Sequence, residues 1–305
     1  MKIRLSCILL LSTLGCYAQH SDEASKPSLL NTYQDSLISL SKDIVNKQLE
    51  PERYNANYLF IKTLVSALKE PKSFHYGFDS LKSVSIQTSP DQKFRVFSWH
   101  IMNKDGSYRY YGSIQMNTPD GKLKLFPLVD SGPFIKNAAD TTTSPNKWYG
   151  AQYYKIIPVA QPGEQSYYVL LGWKGNTVKS TKKVIEVLYF KDGQAYFGLP
   201  VFDANPDWTG KKRIIFEYGR DVSMLLNYQP AEQRIVFDHL APINAEMKAD
   251  FSKYGPDMTY DALQLFKGRW KYQQNLMLKN KPSEKDEQFN DPKKLKGATQ
   301  PIRKY

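Results

Sequence analysis

Cysteine is almost absent from this sequence, and the positions of the two that exist restrict the chemistry of the chain. Among 305 residues only Cys7 and Cys16 are cysteines. If both leave with an export signal, the mature chain has no thiol, and we expect neither a disulfide nor a cysteine-ligated metal. Stability must then come from a packed core, for which a chain of this length is ample.

Histidine is equally scarce, which argues against a metalloenzyme. The four histidines are His20, His75, His100 and His239, and no two of them have the spacing of a shared metal site. The sequence also lacks an HExxH motif and a GxSxG nucleophile elbow. We therefore predict no resident metal and no cofactor.

Long hydrophobic runs are missing too, apart from one near the N-terminus. Lys2 and Arg4 precede an apolar stretch over residues 5–14, which is too short to span a hydrocarbon core of about 30 Å as a helix. A basic start followed by a short apolar run is typical of a secretory signal. We predict a signal peptide over residues 1–18, cleaved between Ala18 and Gln19, and no transmembrane segment.

A lipid anchor is the alternative fate of this segment. Leu14, Gly15 and Cys16 resemble a lipobox in which Cys16 would be acylated. Thr13 stands where an aliphatic residue is usual, so ordinary cleavage is favoured. Both alternatives predict export, to the periplasm or the medium.

Positive charge is in excess. The formal net charge is +12, of which Lys2 and Arg4 supply two. No nucleic-acid-binding motif accompanies the charge, so we predict no nucleic-acid partner. Envelope glycans, acidic ones included, or an envelope protein are the expected partners, although a merely soluble surface also explains the charge.

The first part of the mature chain has helical periodicity. Residues 19–27 are polar and predict a linker. Apolar residues then recur every three or four positions, and Pro51 is placed to open a second helix that Pro71 ends. The pattern predicts a helical hairpin over residues 28–71.

From residue 72 the apolar period changes to two, and turn residues punctuate the chain. Asp192 and Gly193 separate KKVIEVLYF from QAYFGLPVF, which predicts a tight hairpin. Lys267 and Gly268 split residues 260–278 into two aromatic-rich arms, which also favours a hairpin over a helix. The antiparallel β domain is predicted to end at residue 278, followed by a disordered basic tail over residues 279–305.

These patterns predict a mainly β protein with an N-terminal helical segment. Ten to twelve antiparallel strands in a meander suggest a sandwich or a barrel-like fold. The turns SPDQK and TPDGK are alike, but they do not recur at the period of propeller blades, so a propeller is less favoured.

Four segments resemble those of a known but uncharacterised group. They are FHYGFDSLKSVSIQTSPDQKFRVFSWH, KKRIIFEYGRDVSMLLNY, RIVFDHLAP and YGPDMTYDALQLFKGRW. These segments are similar to an uncharacterised family of exported, β-rich bacterial (Gram-negative) proteins, and the resemblance covers most of residues 55–275. It implies the β class and the domain boundaries, and it implies no activity.

Candidates for catalysis or metal binding are weak. Asp238 and His239 are neighbours, which point to opposite faces of a strand and cannot form a dyad without a bulge. FDANPDWTG begins with the spacing of a calcium loop but lacks the glycine and the closing glutamate, which favours a turn. Glu186, Glu217 and Asp261 are the candidate carboxylates for the alternative function, a hydrolase acting on envelope or dietary polysaccharide.

Aromatic residues are the most distinctive feature that is present. Tyrosine alone contributes 21 residues. In the predicted strands they occupy both faces, so one face is expected to be core and the other wet. Aromatic rings on a wet sheet face suit sugar stacking or protein contact. We predict a non-catalytic, exported binding or envelope-associated protein with the ligand-binding residues Tyr108, Tyr110, Tyr153 and Trp173.

Overall fold

A computed structural model describes residues 28–203 and 207–277. The protein is mainly β, with two N-terminal helices followed by antiparallel sheets, which confirms the predicted fold class. The predicted signal peptide, the linker and the basic tail lie outside the described residues. So do Cys7, Cys16, Ala18 and Gln19.

The two helices begin and end where the sequence indicates. They are α1 (Leu29–Asn46) and α2 (Glu50–Lys69). The Ser28 hydroxyl accepts a hydrogen bond from the Asn31 amide at the start of α1. Pro51 lies in the first turn of α2, where a missing N–H costs nothing. Their apolar stripes pack on each other and on the first sheet.

Sheet 1 is an antiparallel meander in the order β1-β2-β3-β4. Its strands are β1 (Ser85–Thr88), β2 (Phe94–Met102), β3 (Tyr108–Met116) and β4 (Lys124–Val129).

Sheet 2 has the order β10-β7-β6-β5, with β8 also paired to β7, and all of its pairings are antiparallel. Its strands are β5 (Gln152–Val159), β6 (Tyr167–Gly175), β7 (Ser180–Lys191), β8 (Gln194–Phe197) and β10 (Ile214–Gly219).

Sheet 3 has the order β11-β12-β13-β14-β9, and its last pairing, between β14 and the two-residue strand β9, is parallel. Its strands are β9 (Phe202–Asp203), β11 (Leu226–Gln229), β12 (Arg234–Pro242), β13 (Tyr254–Phe266) and β14 (Arg269–Gln273).

The helices and the three sheets stack in layers, with a hydrophobic core between each pair of neighbouring layers. The first core joins the helices to β2 through residues such as Phe60 and Trp99, whose ring centroids are 5.1 Å apart. The second joins sheet 1 to sheet 2, and the third joins sheet 2 to sheet 3. The stacking resembles a sandwich, and no sheet closes on itself within the described ranges. Sheet 2 is therefore covered on both faces over most of its length.

Both predicted hairpins are confirmed. Strands β7 and β8 pair around Asp192 and Gly193, whose φ angles of 50° and 73° are those of a tight turn. Strands β13 and β14 pair around Lys267 and Gly268 in the same way.

Candidate functional site

The four aromatic residues that the sequence analysis proposed as ligand-binding differ in how deeply they are buried. Tyr110 and Tyr153 are buried in the core between sheets 1 and 2, so they do not form the wet surface that was predicted. The Tyr153 hydroxyl accepts a hydrogen bond from Trp148 Nε1 at 2.8 Å. The Tyr110 hydroxyl accepts one from the Gly175 amide at 2.6 Å. The prediction was wrong on this point because sheets 1 and 2 stack, which covers the face that alternation alone left open.

Tyr108 and Trp173 are half-buried and meet at the end of sheet 2. Their ring centroids are 5.3 Å apart and the ring planes are 88° apart, an edge-to-face pair. His100 lies against both rings, with its centroid 5.4 Å from Tyr108 and 5.1 Å from Trp173. Tyr108 and Trp173 border a cavity of about 380 Å³, which we call the Tyr108 cleft. The residues lining it are Tyr108, Trp173, Gly175, Thr177, Ser180, Thr181, Lys183, Tyr218, Arg220, Val222, Ser223 and Met224.

Strand register explains why four of these residues converge. Trp173 lies directly opposite Lys183 across β6 and β7, and Thr181 lies directly opposite Tyr218 across β7 and β10. Opposed residues share a sheet face, and so do residues two apart on one strand. The four side chains therefore stand together at the end of sheet 2. Tyr218 belongs to the core between sheets 2 and 3, whereas Trp173 packs against the core between sheets 1 and 2.

One polar group in the wall of the cleft has no hydrogen-bond partner among the residues that the structure describes. Thr181 is buried, with 6% of its surface exposed, and its Oγ1 makes no hydrogen bond among the described residues. A buried hydroxyl without a partner costs about 1–3 kcal/mol. The Oγ1 atom itself is buried beneath the surface of the cleft, so it is not a contact point for a ligand.

Two cations also line the cleft. Arg220 donates hydrogen bonds to the Tyr108 hydroxyl at 2.8 Å and to the Thr177 carbonyl at 2.9 Å. Lys183 donates to the Met224 carbonyl. Burial lowers the pKa of Lys183, and the Asp238 carboxylate opposes that shift. Neither cation forms an ion pair within residues 28–203 and 207–277.

A second cavity of about 470 Å³, which we call the Lys174 cavity, adjoins the cleft and shares Tyr108 and Gly175 with it. Its charged lining residues are Arg109, Asp130, Lys174 and Lys182. Lys174 and Lys182 are opposed across β6 and β7. They stand on the face of sheet 2 that looks toward sheet 1, opposite to the Tyr108 cleft.

Lys174 is held tightly in this second cavity. Its ammonium donates to the Tyr149 carbonyl at 2.9 Å and to the Gly150 carbonyl at 2.8 Å. It also lies 4.5 Å from the ring centroid of Tyr110 and 4.7 Å from that of Tyr149. Burial lowers the pKa of Lys174 to about 8, and Asp130 opposes the shift. These contacts fix the loop before β5 against β6, a structural role.

The three candidate carboxylates of the hydrolase alternative are each engaged by protein groups. Glu186 and Arg213 form a completely buried ion pair at 2.9 Å, and burial raises the pKa of Glu186. Glu217 pairs with Lys182 at 3.1 Å and accepts a hydrogen bond from Ser180 at 2.7 Å.

Asp261 belongs to a different network, in sheet 3. It lies 2.7 Å from His239 Nδ1, and its carboxylate accepts a hydrogen bond from the Tyr272 hydroxyl at 2.7 Å. His239 thus contacts Asp261 rather than its sequence neighbour Asp238, whose carboxylate binds the Leu225 amide at 2.6 Å. Neighbouring strand residues face opposite sides, as the sequence predicted.

The calcium-like segment is only partly described, because residues 204–206 lie outside the described ranges. Asp203 forms an ion pair with Arg269 at 2.6 Å. In the described part of the chain no group of three or more His, Cys, Asp or Glu side chains is placed to hold a metal.

Thr181, Lys183 and Arg220 were missed at the sequence level. Thr181 and Lys183 alternate with Ser180 and Lys182 in KSTKKVIEV, which is a signal for a strand with a polar end. Nothing in the sequence shows that Arg220, beyond the end of β10, reaches Tyr108 of another sheet.

Comparisons with known proteins give no further identification. No protein-family model, curated protein or solved structure matches the chain significantly. In the described part of the chain, no helix is long and apolar enough to cross a membrane.

Proposed function

We propose that this protein is an exported, non-catalytic binding protein that holds a glycan in the Tyr108 cleft. The observation that carries the proposal is the cleft itself, where the half-buried rings of Tyr108 and Trp173 lie beside the N–H donors of Arg220 and Lys183. A sugar ring has an apolar face that stacks on aromatic rings, and its hydroxyls donate and accept hydrogen bonds. The cleft offers both kinds of contact.

The size of the cleft suits one or two sugar units. A volume of about 380 Å³ lies at the lower end of the roughly 300–1,000 Å³ of small-molecule sites. Longer glycans would extend from it past Tyr108, which also lines the Lys174 cavity.

Export to the envelope is the second part of the proposal. It rests on the secretory pattern of residues 1–18 and on the resemblance to exported, Gram-negative β-rich proteins. Envelope or dietary glycans are the ligands such a protein would meet.

Binding is favoured over hydrolysis by the lining of the cleft. Glycoside hydrolysis uses two carboxyl groups about 5–9.5 Å apart on either side of the scissile bond. The cleft is lined by neither Asp nor Glu. Glu186, whose raised pKa would suit a general acid, is completely buried against Arg213.

The experiment measures retention and turnover together. Purified protein is incubated with a panel of immobilised envelope and dietary polysaccharides, and bound protein and new reducing ends are both quantified. Trp173→Ala tests the cleft. Tyr58→Ala, an exposed aromatic on α2, is the matched control.

Saturable retention without reducing ends, lost in Trp173→Ala and kept in Tyr58→Ala, supports the proposal. Sustained release of reducing ends that a single carboxylate change at Glu186 or Glu217 abolishes would establish the hydrolase instead. Retention that survives Trp173→Ala would move the binding site away from the Tyr108 cleft.

A further inference from the structure

The Tyr108 cleft carries positive charge that forms no ion pair with any carboxylate in the described part of the chain. Its charged lining residues are Lys183 and Arg220. No carboxylate among the described residues lies within ion-pair distance of either cation. A partly enclosed cation without a counter-ion attracts an anion from solution, because the low dielectric of the wall strengthens the attraction.

Arg220 keeps hydrogen-bonding capacity for such an anion. A guanidinium has five N–H donors. One bonds the Tyr108 hydroxyl, another bonds the Thr177 carbonyl, and a third contacts Met102 Sδ at 3.8 Å. Two donors remain, Nε–H and one N–H of Nη1, and each can donate to an oxygen of a carboxylate, sulfate or phosphate.

The contacts of Arg220 also fix its position. Its guanidinium carbon lies 5.6 Å from the centroid of the Tyr108 ring, a cation–π distance. An arginine already held by a hydroxyl, a carbonyl and a ring loses little conformational entropy when it binds a ligand.

Two carboxylates close to the cleft are bound by other groups. Asp238 opposes the lowered pKa of Lys183, but its carboxylate binds the Leu225 amide at 2.6 Å. Glu217 accepts a hydrogen bond from the lining residue Ser180 and forms an ion pair with Lys182 on the other face of sheet 2. Lys183 itself lies 5.7 Å from the centroid of the Tyr154 ring.

We propose that the ligand of the Tyr108 cleft is an anionic sugar, whose acidic group is bound by Arg220 and Lys183 while its ring packs against Tyr108 and Trp173. The inference rests on the proposed glycan-binding function and narrows its ligand class. The acidic group is a carboxylate, sulfate or phosphate, which share the charge and the acceptor oxygens that the two cations recognise.

The test compares acidic sugars with uncharged partners of the same backbone. The full chain is assayed by calorimetry against oligogalacturonides and their methyl esters, against alginate oligomers and neutral mannan oligomers, and against sulfated and unsulfated galactan oligomers. The carboxylate and sulfate arms distinguish the two sources of charge. Each binding measurement is repeated in about 50 mM and about 500 mM salt. The higher concentration screens a charge contact more strongly, so the preference for the acidic sugar should be smaller there.

Variants locate the charge contact. Arg220→Gln removes the charge, Arg220→Lys keeps the charge without the planar set of N–H donors, and Lys122→Gln, on an exposed loop with 85% of its side chain accessible, is the control. We expect an acidic member of the panel to bind about tenfold or more tighter than its neutral partner, and this preference to be lost in Arg220→Gln and kept in Lys122→Gln.

Equal binding of acidic and neutral partners by the unmodified protein would overturn the inference while leaving glycan binding in place. Binding to neutral glycans alone would do the same. Failure to bind any glycan of either panel would overturn the proposed function, and the inference with it. Because the acid–ester comparison uses the unmodified protein, the inference stays testable even if Arg220→Gln does not fold.

Discussion

The guanidinium of Arg220 donates a hydrogen bond of 2.8 Å to the hydroxyl of Tyr108. Arg220 follows β10 of sheet 2, and Tyr108 begins β3 of sheet 1. The contact therefore ties two stacked sheets together at the mouth of the cleft. It also orients the tyrosine ring that we propose as a sugar-stacking surface.

Tyr108→Phe separates these two roles. The variant keeps the ring and loses the hydroxyl, so it should lower the free energy of unfolding by about 1 kcal/mol, the usual net value of one hydrogen bond. Affinity for a neutral glycan should stay within about twofold, because stacking does not need the hydroxyl. Urea unfolding and calorimetry measure the two quantities. A large loss of neutral-glycan affinity would show that the hydroxyl contacts the ligand directly.

Trp173→Ala and Tyr153→Ala should have opposite signatures. Trp173 is half-buried at the cleft, and its loss should weaken glycan binding by about 1–3 kcal/mol. It should lower the free energy of unfolding less than the loss of a completely buried ring does, because part of Trp173 already lies in water. Tyr153 is completely buried, and its truncation should lower the free energy of unfolding by about 3–5 kcal/mol. Chemical denaturation and glycan retention are measured for both. Two variants with the same profile would contradict the distinction between cleft and core.

Tyr108 and Tyr110 show which features of the site can be predicted from the sequence and which cannot. Two residues apart on β3, they share a face, and alternation predicts that much. It does not predict that Tyr110 lies under sheet 2 while Tyr108 lies at its margin. That difference depends on how the sheets overlap, which is set by contacts between residues distant in sequence.

The local elements could be predicted because they depend on residues that are close together in the sequence. The turn at Asp192 and Gly193 needs positive φ angles, and the start of α2 tolerates proline at Pro51, so short-range chemistry determines both. The Tyr108 cleft needs the register of β6, β7 and β10, which brings Thr181 opposite Tyr218. No short-range rule specifies that register.

His100 should make the stability of the protein sensitive to mild acid. Its Nδ1 lies 2.8 Å from Gln152 Oε1, and burial lowers its pKa below the usual 6.5, although that hydrogen bond opposes the shift. In the unfolded chain His100 takes up a proton as the pH falls through 6.5, whereas the folded protein resists until a lower pH. Stability should therefore fall as the pH drops below about 6.5, with a slope of at most about 1.4 kcal/mol per pH unit.

The comparison uses His100→Gln, which cannot be protonated. Unfolding free energies of the two proteins are measured between pH 7.5 and pH 5, a range of about one to two units around the ordinary histidine pKa. The variant should show a shallower loss on acidification. Parallel curves would mean that His100 has the same pKa in the folded and unfolded states.

From the proposed export we predict the residue at which the mature chain begins. Protein recovered from its native compartment should begin at Gln19 and carry no cysteine, because residues 1–18 have the pattern of a cleaved secretory signal. Intact-mass analysis checks this. A chain that begins at an acylated Cys16 would establish the lipoprotein alternative.

The titration of Lys174 should change the free energy of unfolding at alkaline pH. Burial lowers its pKa from 10.5 to about 8 in the folded protein, so between these values the unfolded chain binds a proton that the folded chain has released. The free energy of unfolding then rises with pH in that window, by at most about 1.4 kcal/mol per pH unit. Because tyrosines ionise near pH 10 in the unfolded chain, the effect is read as the difference between the wild type and Lys174→Met from about pH 7.5 to 9.5. The wild type should gain stability relative to the variant across this range, and a constant difference would show that the Lys174 ammonium, between Tyr110 and Tyr149, keeps its proton as in water.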